Sequence, residues 1–358
     1  MYKHTVPVST TESCNMFLIF HVDDILLSAH PSCAAAVTDF KTRFMQQFQA
    51  KDEGLVSCYI GMDVHCVQDS IYLMRALLIQ ELVDFMELTD CNAKLTPLEP
   101  GTRLVEADCP RTPDLQCTKY YQHIIGCLQY LTQWTRLDLG HATHELSKHQ
   151  SNPGTVHLNA AKQVVQYLKG TINYGLVYRR VSHDADQLIG FADADWAGDT
   201  DTRQLLSANV FLCNGGPVLW HCKQQQGVAT STSDAEFVTA STAGKDAEWF
   251  RSVMAGMGMH QLGPTPIYED NKGCCLMSEN PVQKSKTRHI DVAQHKVCLL
   301  DHHNVVCLID CPTDDMAADI LTKALPAPSF QRHSNTILCY KPHSAPSIPS
   351  ILPLWKGY

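Results

Sequence analysis

The sequence lacks any run of about 18 apolar residues, the length that a membrane-spanning helix needs. It also lacks the apolar segment of a secretion signal, because polar residues follow its first four residues. These two absences predict a protein that has no membrane partner, is not secreted and is located in the cytoplasm or the nucleus.

Cysteine and histidine are abundant, but the spacings of a zinc site are absent. The 16 cysteines are scattered without a Cys-x-x-Cys pair, and the 18 histidines do not combine with them at ligand spacing. Without a secretion signal, we expect the cysteines to be reduced thiols.

Positive charge is too scarce for a protein that coats nucleic acid. The chain has 28 Lys and Arg against 37 Asp and Glu, a net charge of −9, whereas such proteins are basic. An enzyme that contacts nucleic acid locally is not excluded, because acids that hold Mg²⁺ add negative formal charge. At 358 residues, 44% hydrophobic and 18% charged, the composition is that of a globular chain with two or three domains.

Apolar periodicity predicts the order of the secondary-structure elements. The predicted segments are a β-hairpin over 16–28, a helix over 32–48, strands and a helix over 56–88, a linker over 96–112 and helices over 120–169. Residues 188–330 follow as β, β, β, α, β, α, α, β, α. Prolines after residue 330 predict a poorly ordered tail.

Four acids are placed at the ends of these elements. Asp193 ends the first strand of the last region, Glu236 enters a helix, Asp270 ends a later strand, and Asp319 lies in the C-terminal helix. Ionised acids rarely lie beside a core unless they are paired or bind a metal. Four converging acids would suit a two-metal phosphodiesterase site.

Each acid also has a simpler interpretation. An aspartate at a strand end is usually a turn or cap residue, and Asp270 before Asn271 fits that role. Glu236 could be a first-turn acid that suits the helix dipole. The joint order of the four acids favours the metal site.

The C-terminal segment resembles the ribonuclease H domain of copia-type LTR retrotransposon Pol polyproteins. The matching stretches follow one order and are residues 190–199, 233–237, 269–272, 280–282, 286–292 and 318–323. The resemblance implies that Asp193, Glu236, Asp270 and Asp319 are the catalytic and metal-binding carboxylates. It also implies two Mg²⁺ ions, with Mn²⁺ as the alternative, and cleavage of the RNA strand of an RNA–DNA hybrid.

Two further sequence features concern substrate binding. Residues 203–208, Arg-Gln-Leu-Leu-Ser-Ala, stand where the family has Arg-Lys-Ser-Thr-Ser-Gly, so a lysine and a glycine are missing. Lys284, Lys286 and Arg288 form a candidate nucleic-acid-binding patch. The alternative for this patch is a solvated helix start.

The N-terminal half resembles the end of the palm and the thumb of the same family's reverse transcriptase. Asp23 and Asp24 match the Tyr-Val-Asp-Asp motif, with His21 in place of the usual aromatic residue. Polymerase chemistry needs a further aspartate on an earlier strand, and only 22 residues precede Asp23. We therefore expect a truncated, inactive polymerase half unless other Pol or reverse-transcriptase fragments complement it.

The sequence thus predicts an α/β protein with a ribonuclease H-like mixed-sheet domain, preceded by a truncated reverse-transcriptase palm and a helical thumb or connection. The predicted boundaries are 1–105 for the palm remnant, 106–180 for the helical connection, 181–330 for the ribonuclease H-like domain and 331–358 for a proline-containing tail. The expected function is metal-dependent ribonuclease H cleavage of RNA–DNA hybrids. The alternative is an inactive or co-opted relic that binds nucleic acid or only folds. An integrase or resolvase relative would need a different order of acids and a DNA-binding module.

Overall fold

The computed structural model describes residues 1–7, 13–67, 69–179, 187–195, 205–225, 232–279, 288–340 and 353–357. These residues belong to two compact units, unit 1 from Met1–Arg75 and Pro342–Tyr358, and unit 2 from Ala76–Lys341. The predicted functional boundaries at residues 105, 180 and 330 come from the family resemblance, whereas the two units are defined by packing. The units therefore do not test these boundaries, which stay predictions.

The strands are β1 (Tyr2–Pro7), β2 (Ser13–His21), β3 (Asp24–Ala29), β4 (Ala50–Leu55), β5 (Cys58–Tyr59), β6 (Met62–Val67), β7 (Ser70–Met74), β8 (Tyr174–Arg179), β9 (Ile189–Asp195), β10 (Leu206–Cys213), β11 (Gly216–Gln224), β12 (Thr265–Glu269), β13 (Val306–Asp310), β14 (Cys339–Tyr340) and β15 (Pro353–Gly357). The α-helices are α1 (Ala34–Gln47), α2 (Ala76–Phe85), α3 (Leu115–Trp134), α4 (Gly140–Ser147), α5 (Thr155–Gly170), α6 (Thr232–Met257), α7 (Lys272–Glu279), α8 (Arg288–His302), α9 (Asp319–Thr322) and α10 (Ala327–Ile337). No helix in the described part of the chain is long and apolar enough to span a membrane.

Unit 1 contains an antiparallel sheet in the order β1-β2-β3-β15-β4. Phe40 and Phe44 of α1 cover its buried face against Leu18 and Leu27, which explains the helical spacing of those aromatic residues. The strands β5, β6 and β7 form a second antiparallel arrangement. The predicted hairpin and helix are confirmed.

Unit 2 begins with a helical layer whose centre is an ion pair. Arg136 donates to both carboxylate oxygens of Asp138, at 3.0 and 2.8 Å, and to the Thr171 carbonyl at 3.0 Å. The Tyr167 hydroxyl donates to the same carboxylate at 2.7 Å. Both charged side chains are fully buried, so each charge is compensated by the other and not by water.

A five-stranded mixed sheet completes unit 2, in the order β11-β10-β9-β12-β13. β9, β10 and β11 are antiparallel neighbours, whereas β12 runs parallel to β9 and β13 runs parallel to β12. Asn214 and Gly215 turn the chain between β10 and β11 with φ of 53° and 73°, a hairpin turn that favours glycine. The α/β class with a ribonuclease H-like mixed sheet is confirmed.

The helices α6 and α8 pack against each other beside this sheet. Their shared core includes Ala243, Ala247 and Leu300, with Phe211 of β10 and Ile267 of β12. The helices lie so close at Gly244 that a Cβ there would come within 2.7 Å of the Leu300 side chain. This close packing holds the middle of α6 against α8.

Three details differ from the sequence-based expectations. The expected poor order after residue 330 is wrong for 331–337, because Phe330, His333 and Ile337 are buried on one face of α10. The same expectation is wrong for 353–357, which form strand β15 by pairing with β3 and β4, two strands that are remote in sequence. Cys33 is disulfide-bonded, so the prediction of reduced thiols is wrong at this residue.

Candidate metal centre

Asp193 lies on β9, the central strand of the five-stranded sheet, and is 1% exposed. Carboxylate oxygens of Asp193, Glu236 and Asp270 all lie within 4.8 Å of one another. The strand β9, the first turns of α6 and the end of β12 therefore deliver one acid each to a shared point. This clustering is what the order of the acids predicted, while the catalytic roles of the acids stay predictions.

Glu236 is positioned by contacts between α6 and the neighbouring strands. The Gln225 amide nitrogen, just past β11, donates to the Ala235 carbonyl at 3.1 Å and to the Thr239 hydroxyl at 3.3 Å. The Thr239 hydroxyl also lies 2.7 Å from the Ser207 hydroxyl of β10. These bonds connect the Ala235 backbone and the Thr239 side chain, one on each side of Glu236, to β10 and to the residue after β11.

Asp270 is not the helix cap that the simpler interpretation of the sequence allowed. The cap is Asn271, whose side-chain oxygen accepts from the Cys274 amide at 3.1 Å. Asp270 lies between β12 and this cap, and its Oδ2 accepts a long bond of 3.4 Å from the Thr313 hydroxyl. Its carboxylate is therefore available to the cluster.

Asp319 joins the site through α9, all four residues of which are buried. Lys323 Nζ donates to Asp319 Oδ1 at 2.8 Å and to Asp193 Oδ1 at 3.2 Å. The Thr322 hydroxyl donates to Asp193 Oδ2. Asp319 is thus linked to Asp193 through a lysine, and it lies outside the group of three acids that meet within 4.8 Å.

Strand β11 hydrogen-bonds both to α9 and to the helical layer of unit 2. The Cys222 thiol of β11 donates to the Leu321 carbonyl at 3.1 Å, and the Trp220 indole donates to the Thr132 carbonyl of α3 at 2.9 Å. Burial lowers the pKa of His141 in α4 to about 4, so this imidazole is neutral beside α9. The candidate site therefore rests on elements that are distant in sequence.

Glu269 is a site residue that the sequence analysis missed. It is fully buried, and its pKa is raised well above the usual range by burial, by the charge of Glu236 and by a hydrogen bond to that acid. Burial and the charge of Asp193 in turn raise the pKa of Glu236 to about 8. Strand alternation could have revealed Glu269, because buried Ile267 lies two residues earlier on the same face.

The donor set fits a divalent cation. Oε2 of Glu236 and Oε2 of Glu269 are buried without a hydrogen-bond partner, and such atoms are costly unless a proton or a cation satisfies them. Burial, followed by the charge of Asp193, also raises the pKa of Asp270 and raises that of Asp319 to about 7. Clustered carboxylate oxygens are the ligands that Mg²⁺ prefers.

The other predicted site residues do not join this cluster. Asp23 is exposed on the β2–β3 turn and Asp24 is half-buried at the start of β3. Neither belongs to a group of three potential ligands among the described residues. Arg288 begins α8, whereas Lys284 and Lys286 lie outside the described residues, so the proposed basic patch stays a prediction.

A second group of potential ligands lies in the helical layer. Ligand atoms of Cys109, His149 and His157 fall within 4.8 Å of one another, although their spacing in sequence indicated no zinc site. His157 Nδ1 accepts a hydrogen bond from the Gly154 amide at 2.9 Å. A neutral imidazole that accepts at Nδ1 carries its proton at Nε2, which disfavours His157 as a metal ligand.

The chain is similar to reverse transcriptases and to Pol polyproteins. The family model for reverse transcriptase (RNA-dependent DNA polymerase) matches residues 3–100. The chain is 28% identical over 323 residues to the retrovirus-related Pol polyprotein from transposon RE1 of Arabidopsis thaliana, covering 90% of this chain and 21% of that protein. It is 28% identical over 327 residues to the corresponding protein from transposon TNT 1-94 of Nicotiana tabacum, covering 90% and 24%.

A solved structure is also similar in part. LC11-RNase H1, isolated from compost by a metagenomic approach, aligns with a TM-score of 0.30 and 16% identity, covering 38% of this chain and 92% of that chain. The chain spans about a fifth of the length of the curated relatives that it matches first.

The chain thus combines a reverse-transcriptase match over residues 3–100 with a cluster of acids on a ribonuclease H-like sheet. Over 90% of its length the chain is similar to Pol polyproteins of copia-type retrotransposons such as RE1 and TNT 1-94.

Proposed function

We propose that this chain is a ribonuclease H that cleaves the RNA strand of RNA–DNA hybrids and that depends on Mg²⁺, with Mn²⁺ as the alternative ion. The single observation that carries the proposal is the meeting of Asp193, Glu236 and Asp270 within 4.8 Å at the central strand. Several buried carboxylates this close together are stabilised by bound cations. A centre that holds two divalent cations suits the hydrolysis of a phosphodiester, because the cations bind the attacking and the leaving oxygens.

Asp193, Glu236, Asp270 and Asp319 would hold the ions. When bound, two divalent ions supply an activated water and stabilise the charge on the attacking and leaving oxygens. The residues of the chain orient the ligands: Thr322 and Lys323 hold the Asp193 carboxylate by hydrogen bonds to both of its oxygens. Gln225 ties the backbone next to Glu236 to Thr239 and the sheet.

Hybrid cleavage by the purified full chain tests the proposal. The wild-type chain is expected to cleave the labelled RNA strand in Mg²⁺ and not in EDTA, and Asp193→Asn is expected to abolish cleavage because it removes a central charge without removing volume. Asp310→Asn is the matched control, since Asp310 is an exposed acid at the end of β13 in the same sheet. It should cleave like the wild type.

Two results would contradict the proposal. Undiminished cleavage by Asp193→Asn would show that the acid cluster around Asp193 is not the catalytic centre. A folded wild-type chain that binds the hybrid without cleaving it in Mg²⁺ or Mn²⁺ would instead support the co-opted, non-catalytic alternative.

For the polymerase half, we propose that the isolated chain does not copy a template. Asp23 and Asp24 have no third acid grouped with them in the described residues, and an aspartate pair alone cannot hold two ions and a triphosphate. Other Pol or reverse-transcriptase fragments would have to supply the missing acid and the nucleotide-binding surface.

A further inference from the structure

A lysine lies where two of the site's acids would otherwise share a cation. Lys323 Nζ is 3.2 Å from Asp193 Oδ1 and 2.8 Å from Asp319 Oδ1. The two carboxylates are buried, with 1% and 5% of their side chains exposed. The ammonium group therefore supplies positive charge to a pair of acids that have almost no access to water.

The backbone of α9 fixes the position of Lys323 relative to Asp319. The Lys323 amide donates to the Asp319 carbonyl at 2.9 Å, so the two side chains leave consecutive turns on the same side. The lysine side chain is itself 31% exposed. It can therefore leave the acids for solvent, whereas the acids cannot leave the buried cluster.

We infer that Lys323 is a positioning residue that acts as a built-in counter-ion at the Asp193–Asp319 position and must be displaced when a second divalent ion binds there. The inference rests on the proposed function. A divalent ion on the same oxygens would lie within a few ångströms of the ammonium charge, and like charges at that separation repel strongly. Among the described residues, Lys323 makes no ion pair with Glu236 or Asp270, so at the Asp193–Glu236–Asp270 position it contacts only Asp193, although its charge also acts on the other two acids.

The consequence is that the two ions bind with unequal affinity. Asp193, Glu236 and Asp270 would hold one ion tightly, and Asp193 and Asp319 would hold the other weakly. The affinity of the weak position sets the metal concentration at which both ions are bound. Before the second ion binds, Lys323 keeps the Asp193 and Asp319 carboxylates in place.

Mn²⁺ titration of the full chain tests this inference, with free Mn²⁺ followed by electron paramagnetic resonance and heat by calorimetry. The wild type should show one tight and one weak class of Mn²⁺-binding site. Lys323→Gln keeps hydrogen-bond donors but removes the charge, and should tighten the weak class by at least about tenfold. Saturating Mn²⁺ should also raise its Tm more than that of the wild type.

Two further variants complete the design. Lys296→Gln is the matched control, because Lys296 pairs with Glu248 at the surface at 2.9 Å, and its titration should equal that of the wild type. Asp319→Asn should remove the weak class and keep the tight one. This variant keeps the inference testable even when Lys323→Gln does not fold.

The outcomes separate this inference from the proposed function. A wild-type chain that binds no Mn²⁺ and cleaves no hybrid would overturn the proposed function and the inference with it. A wild-type chain that binds Mn²⁺ and cleaves, alongside a folded Lys323→Gln with an unchanged or weakened weak class, would overturn the inference alone. An Asp319→Asn chain that keeps the weak class would overturn it as well.

Discussion

The hydroxyl of Thr322 donates a hydrogen bond to Oδ2 of Asp193, although 129 positions separate the two residues in the chain. Lys323 holds the other oxygen of the same carboxylate. The buried helix α9 thus orients an acid that belongs to the central strand. Residues that hydrogen-bond to a metal ligand often matter nearly as much as the ligand itself.

Replacement of Thr322 by valine should therefore weaken catalysis without unfolding the protein. The valine keeps the volume and loses the hydrogen bond, so we expect Mg²⁺-dependent hybrid cleavage to fall by about 10- to 100-fold. Thr242→Val is the control, because the Thr242 hydroxyl bonds only to the Val238 carbonyl on the exposed side of α6 in the described structure. Equal cleavage by the two variants would show that the contact with Asp193 has no role.

The metal-free protein should lose stability as the pH rises. Burial and the charge of Asp193 raise the pKa of Glu236 from 4.5 to about 8 and that of Asp319 from 3.8 to about 7. Between about pH 4 and pH 8 the folded chain therefore binds more protons than the unfolded chain, and its free energy of unfolding falls with increasing pH.

Urea unfolding in EDTA at several pH values measures this dependence. Glu236→Gln should flatten it, whereas Glu248→Gln, at the partly exposed partner of Lys296, should leave the slope unchanged. Added Mg²⁺ should restore most stability near pH 8, where the acids are ionised. A metal-free stability that is constant or rises over this range would be inconsistent with a crowded, buried acid cluster.

The ion pair in the helical layer should be a major determinant of stability. Asp138→Ala leaves the fully buried Arg136 without its carboxylate and removes the acceptor of the Tyr167 hydroxyl. We expect the free energy of unfolding to fall by about 3–5 kcal/mol, the usual cost of breaking a buried pair. Glu248→Ala, which removes a surface partner of Lys296, should cost at most about 1 kcal/mol. Similar losses for both variants would contradict the dominant role of the buried pair.

Primer extension tests the polymerase half. The isolated chain, given a primed RNA template, Mg²⁺ and nucleotides, should add no nucleotides, because Asp23 is exposed on its turn and no third acid joins it and Asp24 among the described residues. The hybrid-cleavage reaction on the same preparation is the positive control for folded protein. Extension that is lost in Asp24→Asn would show that the pair is active.

The secondary structure was largely predictable because it depends on local patterns. The β, β, β, α, β, α, α, β, α order of the ribonuclease H-like part follows from periodicity, and the structure contains it as β9 to α9. The helices predicted over 120–169 are present as α3, α4 and α5, but the break between α3 and α4 was not predicted, and it falls where Arg136 turns inward to Asp138. That break depends on a tertiary contact, which a hydrophobic stripe does not indicate.

The order of the acid-bearing motifs and the family resemblance were properties of the sequence by itself, because a motif keeps its residue types and spacing in any conformation. Only the tertiary structure decided which side chains meet. It brought buried Glu269 beside Glu236, placed Lys323 between Asp193 and Asp319, and assigned the cap of α7 to Asn271. These relationships join residues on different strands and helices, and their distances depend on sheet order and helix packing.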